Sequence, residues 1–434
     1  MADHRRFLVL AVALFVCRAI AADAIVPSWQ GPDEPAHFSL AKLLSEGGET
    51  PARRVAVERE VMASMARHRW WQPYGLRTPD PVPQSFAEVP ASLAPGTLLQ
   101  PAYYALAAVV LRVTPASGID GEFTTLRWLS VALGVAALLC GWAGTRRLFG
   151  PLAASGAVAI AALNPQFLLS AITVSPDALI NLCGAVIWWQ VAALRDAVGW
   201  AQARSAALVL AAGLIAALSK RNGIPVLAVA VLAVGAIATR SLFRRAGAVL
   251  PVASTVGVLI GGAAVIWIVW REPAQRLLTF WSYLFVLRRS AADIDLSALS
   301  FVVTRAIDAS WLWAGWMRFP APDWWFWIVR ALTIGGLIGA LTLTVRRRLP
   351  QAGWAWLFVL PQLAALVSLF MLNAGPQGRY FFGAFMPVAT LIWLGLVMPL
   401  APGRRPRAAV AVIAGLAALD LAGFGLVLVP AYVR

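Results

Sequence analysis

Two adjacent carboxylates and a histidine follow the first apolar segment of the chain. Asp33, Glu34 and His37 lie in the stretch Trp29-Gln-Gly-Pro-Asp-Glu-Pro-Ala-His-Phe, and the chain has only three histidines. A carboxylate can take a proton from a hydroxyl group, and an imidazole can exchange protons near neutral pH. Acids at the mouth of a membrane helix bundle are costly to desolvate and usually serve chemistry or transport. This stretch is therefore the first candidate site.

Three further polar motifs interrupt the apolar segments of the chain. They are Ser175-Pro-Asp177-Ala-Leu-Ile-Asn181, Lys220-Arg221-Asn222-Gly223 and Gln377-Gly-Arg379-Tyr380. An arginine presents a planar fork of donors that suits phosphate. We therefore expect the cations of these motifs to bind an anionic ligand.

Each motif also has a structural alternative. Asp33 could cap a helix that begins near Pro35, and Asp177 could act only through the helix dipole. His37 could be a hydrogen-bonding loop residue. Lys220 and Arg221 could extend to lipid headgroups. Arg379 could form a structural ion pair with a neighbouring acid.

The composition predicts an all-α polytopic membrane protein. Of 434 residues, 60% are hydrophobic and 13% are charged, and the mean hydropathy is +0.74. Apolar runs of roughly 20 residues are typical of transmembrane helices. The net charge of +16 comes from short basic clusters between these runs. Such clusters are typical of signals that orient a membrane protein, and not of nucleic-acid binding. The tryptophans between positions 311 and 327 are expected mostly in an aromatic belt.

The apolar runs predict a single domain over residues 1–434, with about eleven transmembrane helices. The predicted spans are 7–25, 124–145, 151–173, 177–195, 205–219, 223–240, 248–270, 324–345, 353–372, 381–401 and 407–430. Arginine clusters fall on every second connection, which predicts a cytoplasmic N-terminus and an outer C-terminus.

Two large outer loops follow from this topology. The first covers residues 26–123 and contains a charged segment at 51–69 that could form a surface helix. Its segment 98–112 is apolar but too short for a span, so we expect an interfacial helix there. The second loop covers residues 271–323. All four polar motifs then lie on the outer side of the membrane.

Acids and cations on one outer face suit the transfer of a sugar from a lipid phosphate to a hydroxyl group. A carboxylate base takes the proton of the acceptor, and cations or a metal stabilise the charge that collects on the departing phosphate. The leaving group is already a stable anion, so no general acid is required.

Several motifs together carry a family resemblance. They are Gly31-Pro-Asp33-Glu34-Pro-Ala-His37-Phe, Gln100-Pro-Ala-Tyr103-Tyr104, Ser175-Pro-Asp177-Ala-Leu, Trp311-Leu-Trp-Ala-Gly-Trp316-Met-Arg-Phe and Gln377-Gly-Arg379-Tyr380-Phe. With these motifs the chain resembles the GT-C superfamily of polytopic glycosyltransferases, and more closely a bacterial family of membrane proteins within or near it.

The resemblance implies a polyprenyl-phosphate sugar donor and an active site outside the bacterial cytoplasmic membrane. It implies Asp33 as catalytic base with Glu34 as second choice, and Asp177 as a second active-site acid. The implied substrate-binding residues are His37, Gln100, Tyr103, Tyr104, Lys220, Arg221, Gln377, Arg379 and Tyr380. Branches of the superfamily differ in their need for metal, so no metal and no other cofactor is assigned.

Other functions remain open at the level of sequence. Charged groups inside a membrane domain also mark the pathways of transporters and lipid flippases. A polymerase or ligase of envelope polysaccharide, or a non-catalytic assembly factor, would share the basic outer face. The acceptor is a glycan, a lipid or a protein, the other expected partners are membrane lipids, and no nucleic acid is expected.

Overall fold

The computed structural model describes residues 2–89, 100–244, 296–371 and 377–433, and these form a bundle of α-helices. The all-α polytopic prediction is confirmed. The longer helices are α1 (Ala2–Ile25), α2 (Glu34–Ser45), α3 (Pro51–Arg67), α4 (Ala102–Val113), α5 (Gly118–Phe149), α6 (Pro151–Ala162), α7 (Pro165–Ala171), α8 (Pro176–Leu194), α9 (Gly199–Ala217), α10 (Ile224–Arg244), α11 (Leu296–Trp311), α12 (Asp323–Val345), α13 (Ala352–Met371), α14 (Phe385–Val397) and α15 (Arg405–Gly423).

Eight helices of the described residues are long and apolar enough to cross a membrane, and a bent helix pair makes a ninth candidate. The predicted span 353–372 corresponds to helix α13. The predicted span 248–270 lies outside the described residues, as does the first part of the second predicted loop, residues 271–295 of 271–323.

The predicted span 151–173 is broken into α6 and α7, which meet at an angle of 70°. The break falls at Asn164-Pro165, where proline cannot continue the hydrogen-bonding ladder of α6. The side chain of Asn164 accepts a hydrogen bond from the backbone N–H of Phe167 at 2.7 Å and so begins α7. This bend brings the loop between α7 and α8 to the candidate site.

Helices α2, α3 and α4 form a small cap next to α5. The predicted surface helix at 51–69 is α3, which begins where Thr50 accepts a hydrogen bond from the N–H of Arg53. The predicted short helix at 98–112 is α4, which packs along α2. The cap holds the acidic motif, because Asp33 immediately precedes α2.

Helix α8 packs between α5 and α9, and helix α12 packs against α14. These contacts close the bundle. Small residues permit the second contact. A Cβ atom on Gly395 would lie 1.7 Å from the carbonyl oxygen of Gly336, so only glycine allows the two backbones to approach this closely.

A buried ion pair ties the two ends of the chain together within the bundle. The guanidinium of Arg18 in α1 donates to the carboxylate of Asp420 in α15 and to the backbone carbonyl of Ala162 at the end of α6. The side chains of Arg18 and Asp420 are 9% and 5% exposed. Removing one partner would therefore leave an uncompensated charge in an apolar environment.

We predict that Arg18→Met lowers the stability of the protein by about 3–5 kcal/mol, because Asp420 loses its counter-charge. Thermal unfolding of the purified protein in detergent measures this loss. Arg6→Met, on the exposed part of the same helix, should change little. The double variant Arg18→Met/Asp420→Leu should regain most of the loss, and equal melting temperatures for Arg18→Met and the wild type would contradict the assignment.

Candidate active site

Two carboxylates and two cations meet where several helices begin or end. Nη2 of Arg379 lies 3.1 Å from Oδ2 of Asp33, and its Nη1 lies 3.6 Å from Oδ2 of Asp177. Nζ of Lys220 lies 3.4 Å from that same oxygen of Asp177. Asp33, Asp177, Lys220 and Arg379 are hereafter called the charge cluster. It joins residues that are up to 346 positions apart in the sequence.

Asp33 occupies the position before α2 but does not cap it. Its backbone has φ 63°, ψ 8°, and its side chain makes no hydrogen bond to the helix. This left-handed conformation is uncommon for residues other than glycine. It turns the carboxylate toward Arg379, and the side chain stays 38% exposed. Of the two carboxylates in the cluster, Asp33 is the accessible one.

Glu34 points away from the charge cluster and fixes the loop that carries Asp33. Its carboxylate is 0% exposed and accepts hydrogen bonds from the backbone N–H groups of Gly31 and Val174. A Cβ atom on Gly31 would lie 2.6 Å from Cδ of Glu34, so this close approach requires glycine. The side chain of Glu34 therefore links the acidic motif to the loop before α8.

Arg127 completes this support from α5. Its guanidinium donates to both carboxylate oxygens of Glu34, to Asp23, and to the backbone carbonyls of Val26 and Pro27. Because these acceptors lie in the last turn of α1, in the connection and at the first residue of α2, one buried cation orders the whole connection. Arg127 was missed at the sequence level, although an arginine inside a predicted apolar span was a usable signal.

Asp177 is buried and holds the cations in place. The side chain of Ser175 caps α8 by accepting from the backbone N–H of Asp177, which leaves the carboxylate for other partners. That carboxylate is 1% exposed and accepts a hydrogen bond of 2.9 Å from Nδ2 of Asn222 as well as the contacts from Lys220 and Arg379. Asn222 is a second residue that the sequence-based site lacked.

Arg379 has one donor without a hydrogen bond. Its Nε donates to Oε1 of Gln377 at 2.7 Å, and its Nη2 donates to Asp33. Within the described part of the chain its buried Nη1 has no hydrogen-bond partner. A buried, unsatisfied guanidinium nitrogen is costly, and an anionic ligand would satisfy it.

His37 faces the cluster as a neutral ring. Burial, together with the charge of Lys220, lowers the pKa of His37 from 6.5 to about 3. Its Nδ1 shares a hydrogen bond of 2.8 Å with the hydroxyl of Tyr104. Its buried Nε2 has no hydrogen-bond partner among the described residues. The ring therefore offers a second unused polar atom near the cluster.

Asp33 is ionised at neutral pH. Burial alone would raise its pKa, but the positive charges of Arg379 and Lys220 outweigh this effect, so the pKa of Asp33 lies below its ordinary value of 3.8. The carboxylate is thus available to accept a proton or to hydrogen-bond a hydroxyl group.

The other residues predicted for the site lie around the cluster with different partners. Nε2 of Gln100 donates to the backbone carbonyl of Ala217 and so joins the start of α4 to the end of α9. Tyr103 is fully buried. Tyr380 and Arg221 are partly buried, and the Tyr380 ring centroid lies 5.5 Å from the Arg379 guanidinium.

A narrow cavity of about 40 Å³ adjoins the cluster. Asp177, Arg379, Trp313 and Tyr432 are among the residues that line it. Trp313 is buried there and not in an aromatic belt, in contrast to Trp327, which is 67% exposed. The cavity holds only a few water molecules, so a sugar requires it to widen.

The donor set of the cluster is balanced without a metal ion. Two carboxylates face two cations, and both carboxylates already contact a guanidinium or an ammonium group. Among the described residues, no three His, Cys, Asp or Glu side chains converge as metal ligands do.

The fold is similar to that of a solved archaeal oligosaccharyltransferase. The chain is similar to the oligosaccharyltransferase of Archaeoglobus fulgidus in its apo form, with a TM-score of 0.50, 16% sequence identity and 97% of this chain covered. A second structure, archaeal oligosaccharyltransferase AglB from the same organism in complex with an inhibitory peptide and a dolichol-phosphate, gives 13% identity, a TM-score of 0.49 and 98% of this chain covered.

The likeness concerns the fold, because the identity is low. The chain spans 56% of the first neighbour and 55% of the second. No protein-family model and no curated protein matches the sequence. The closer resemblance to a bacterial membrane-protein family therefore stays a prediction.

We predict that His37 makes the protein sensitive to mild acid. Between pH 6.5 and about 3 the unfolded chain binds a proton that the folded chain does not. The contribution of the neutral His37 to the free energy of unfolding is therefore complete above pH 6.5. The free energy of unfolding falls by up to about 1.4 kcal/mol per pH unit as the pH drops through this window. Melting temperatures in detergent between pH 7.5 and 5 measure the slope.

The variant His37→Asn should have a shallower slope, whereas His68→Asn, at a partly exposed histidine, should keep the slope of the wild type. If His37→Asn and the wild type lost stability in parallel, the buried neutral state of His37 would be wrong.

Proposed function

We propose that the chain is a membrane glycosyltransferase that moves a sugar from a polyprenyl-phosphate donor to an acceptor hydroxyl on the outer face of the bacterial cytoplasmic membrane. The observation that carries this proposal is the charge cluster with an unsatisfied donor on Arg379, set in a GT-C type fold. The AglB structure in complex with a dolichol-phosphate is consistent with a lipid-phosphate donor.

In the proposed reaction, Arg379 and Lys220 bind the phosphate of the donor. Asp33 takes the proton of the acceptor hydroxyl as its oxygen forms a bond to the anomeric carbon of the sugar. The bond between that carbon and the phosphate oxygen breaks, and its electron pair leaves with the polyprenyl phosphate. The two cations stabilise the negative charge that collects on the phosphate. Because this interaction is stronger in the transition state than in the ground state, it lowers the activation barrier.

The contact between Arg379 and Asp33 links donor binding to the strength of the base. Arg379 contacts Asp33 at 3.1 Å, and a donor phosphate would compete with that carboxylate for the same guanidinium. Loss of the contact raises the proton affinity of Asp33, because an adjacent positive charge had stabilised its ionised form. The base thus becomes stronger when the donor is in place.

Glu34 and Asp177 receive supporting roles in this proposal. Both carboxylates are buried, at 0% and 1% exposure of the side chain, so an acceptor reaches Asp33 first. Glu34 holds the loop through Arg127, and Asp177 orients Lys220 and Arg379. His37 and Gln377 position the cluster from its edges.

The location of the cluster favours an enzyme over a transporter. Asp33 lies before α2, Asp177 in the first turn of α8 and Lys220 between α9 and α10. These positions are helix ends on one side of the bundle, whereas substrate pathways of transporters usually include charges near the middle of the membrane.

We predict that Asp33→Asn abolishes transfer, by at least about 100-fold, because removing general-base catalysis typically costs a factor of 10²–10⁴. The assay uses purified protein, radiolabelled polyprenyl-phosphate sugars and a membrane extract as source of the acceptor. The amide keeps the size of the side chain and should leave the melting temperature nearly unchanged.

Glu60→Gln is the matched control, because Glu60 is an exposed acid in the neighbouring helix α3. It should transfer sugar at the rate of the wild type. Full transfer by purified Asp33→Asn would remove Asp33 as the base.

We further predict that transfer is insensitive to EDTA and depends on the charge of Lys220. Lys220→Met should lower kcat about 100-fold, since loss of one charge-stabilising donor costs about 10²–10³. Lys220→Arg should retain a large part of the activity. Inhibition by EDTA that added Mg²⁺ or Mn²⁺ reverses would show that a metal, and not the two cations, stabilises the departing phosphate.

A further inference from the structure

A second and much larger cleft lies beside the narrow cavity that adjoins the charge cluster, which is hereafter called the catalytic cavity. It has a volume of about 730 Å³ and runs between the segment after α3, the turn before α12 and the C-terminal end of the chain. The lining residues that matter here are His68, Arg69, Gln72, Arg318, Phe319 and Tyr432. At this volume it can hold a ligand of several sugar units, whereas the catalytic cavity cannot.

The cleft is basic and lacks a carboxylate among its lining residues, all of which are described. Asp120 pairs with His68 at 3.3 Å, but it also pairs with Arg67. Neither Arg69 nor Arg318 has an ion-pair partner within the described part of the chain. Two exposed arginines without a counter-ion form a site for a phosphate or carboxylate group.

Contacts within the fold hold the guanidinium of Arg318 in position. Nη2 of Arg318 donates to the backbone carbonyl of Tyr74 at 3.2 Å, and its guanidinium lies 5.4 Å from the centroid of the Tyr74 ring. Arg69 has φ 52°, which commits its backbone to the left-handed region at the turn after α3. Phe319 and Tyr432 pack edge to face, with centroids 5.7 Å apart, and add flat apolar surface to the cleft.

One turn separates this cleft from the catalytic cavity. Trp313 and Gly315 line the cavity, whereas Arg318 and Phe319 line the cleft, and Tyr432 lines both. Bridges between Trp313 and Pro320 and between Ala314 and Phe319 close the turn. A ligand in the cleft thus meets the cavity at Tyr432.

We propose that this basic cleft binds the acceptor and selects acceptors that carry a phosphate or carboxylate group close to the reactive hydroxyl. The inference rests on the proposed glycosyl transfer, in which the donor phosphate occupies Arg379 and Lys220. The anionic group of the acceptor binds Arg69 and Arg318, and its hydroxyl reaches Asp33 past Tyr432. The anion is either the headgroup of a lipid or part of a soluble glycan.

The test measures binding and not transfer, so that it does not depend on the catalytic proposal. The probes are radiolabelled glucose 6-phosphate, glucuronate and glucose, added to the full-length protein in nanodiscs of phosphatidylcholine. Both anionic sugars should bind at least 10-fold more tightly than glucose. Arg69→Gln and Arg318→Gln should each weaken their binding about 10-fold, and Arg318→Lys should restore part of it.

Arg348→Gln, at an exposed arginine just beyond the opposite end of α12, is the control and should bind the probes as the wild type does. The readout is binding and not transfer, so a failure of the base assignment leaves this result intact. Nanodiscs that contain phosphatidylglycerol distinguish the sources, since displacement of the probe by this lipid points to a lipid headgroup and unaltered binding points to a glycan.

Three results would overturn the proposal. Equal affinity for glucose and glucose 6-phosphate would remove the selection for anions. Loss of binding in Arg379→Gln with normal binding in Arg69→Gln and Arg318→Gln would assign the anion to the donor site. Absence of binding for all probes to the stable wild-type protein would show that the cleft takes no such ligand.

Discussion

The arrangement of the site depends on the contact between Asp33 and Arg379, which joins the first and the last polar motifs of a mostly apolar chain. An ion pair with one exposed partner adds little net stability, because water screens the attraction between the two charges. This pair is therefore better explained by ligand binding than by folding. The structure supports it from both sides, through Glu34 and Arg127 beside Asp33 and through Gln377 beside Arg379.

The same constraint explains why the charges gather at helix ends. A membrane domain can keep ionised groups only where they pair or where helices end near water. Cations that neutralise two carboxylates are also positioned for a donor phosphate. Exchange of one anion for another at Arg379 then links donor binding to the basicity of Asp33.

The sequence predicted the helical class, most of the described spans and the polar motifs from which the charge cluster is built, because apolar run length follows from local composition. It did not separate the roles of Asp33 and Glu34. Their side chains point in different directions because Asp33 has a left-handed backbone, which depends on tertiary contacts. The break at Asn164 and the position of Trp313 beside the cavity also required packing information that no local pattern contains.

In the proposed reaction, Arg379 exchanges Asp33 for the donor phosphate. A cryo-EM structure of the protein in nanodiscs with a polyprenyl-phosphate sugar bound would show this exchange. We expect the phosphate within hydrogen-bond distance of Arg379 and Lys220, and the carboxylate of Asp33 released toward the anomeric carbon. A phosphate bound elsewhere, with the contact between Asp33 and Arg379 intact, would contradict it.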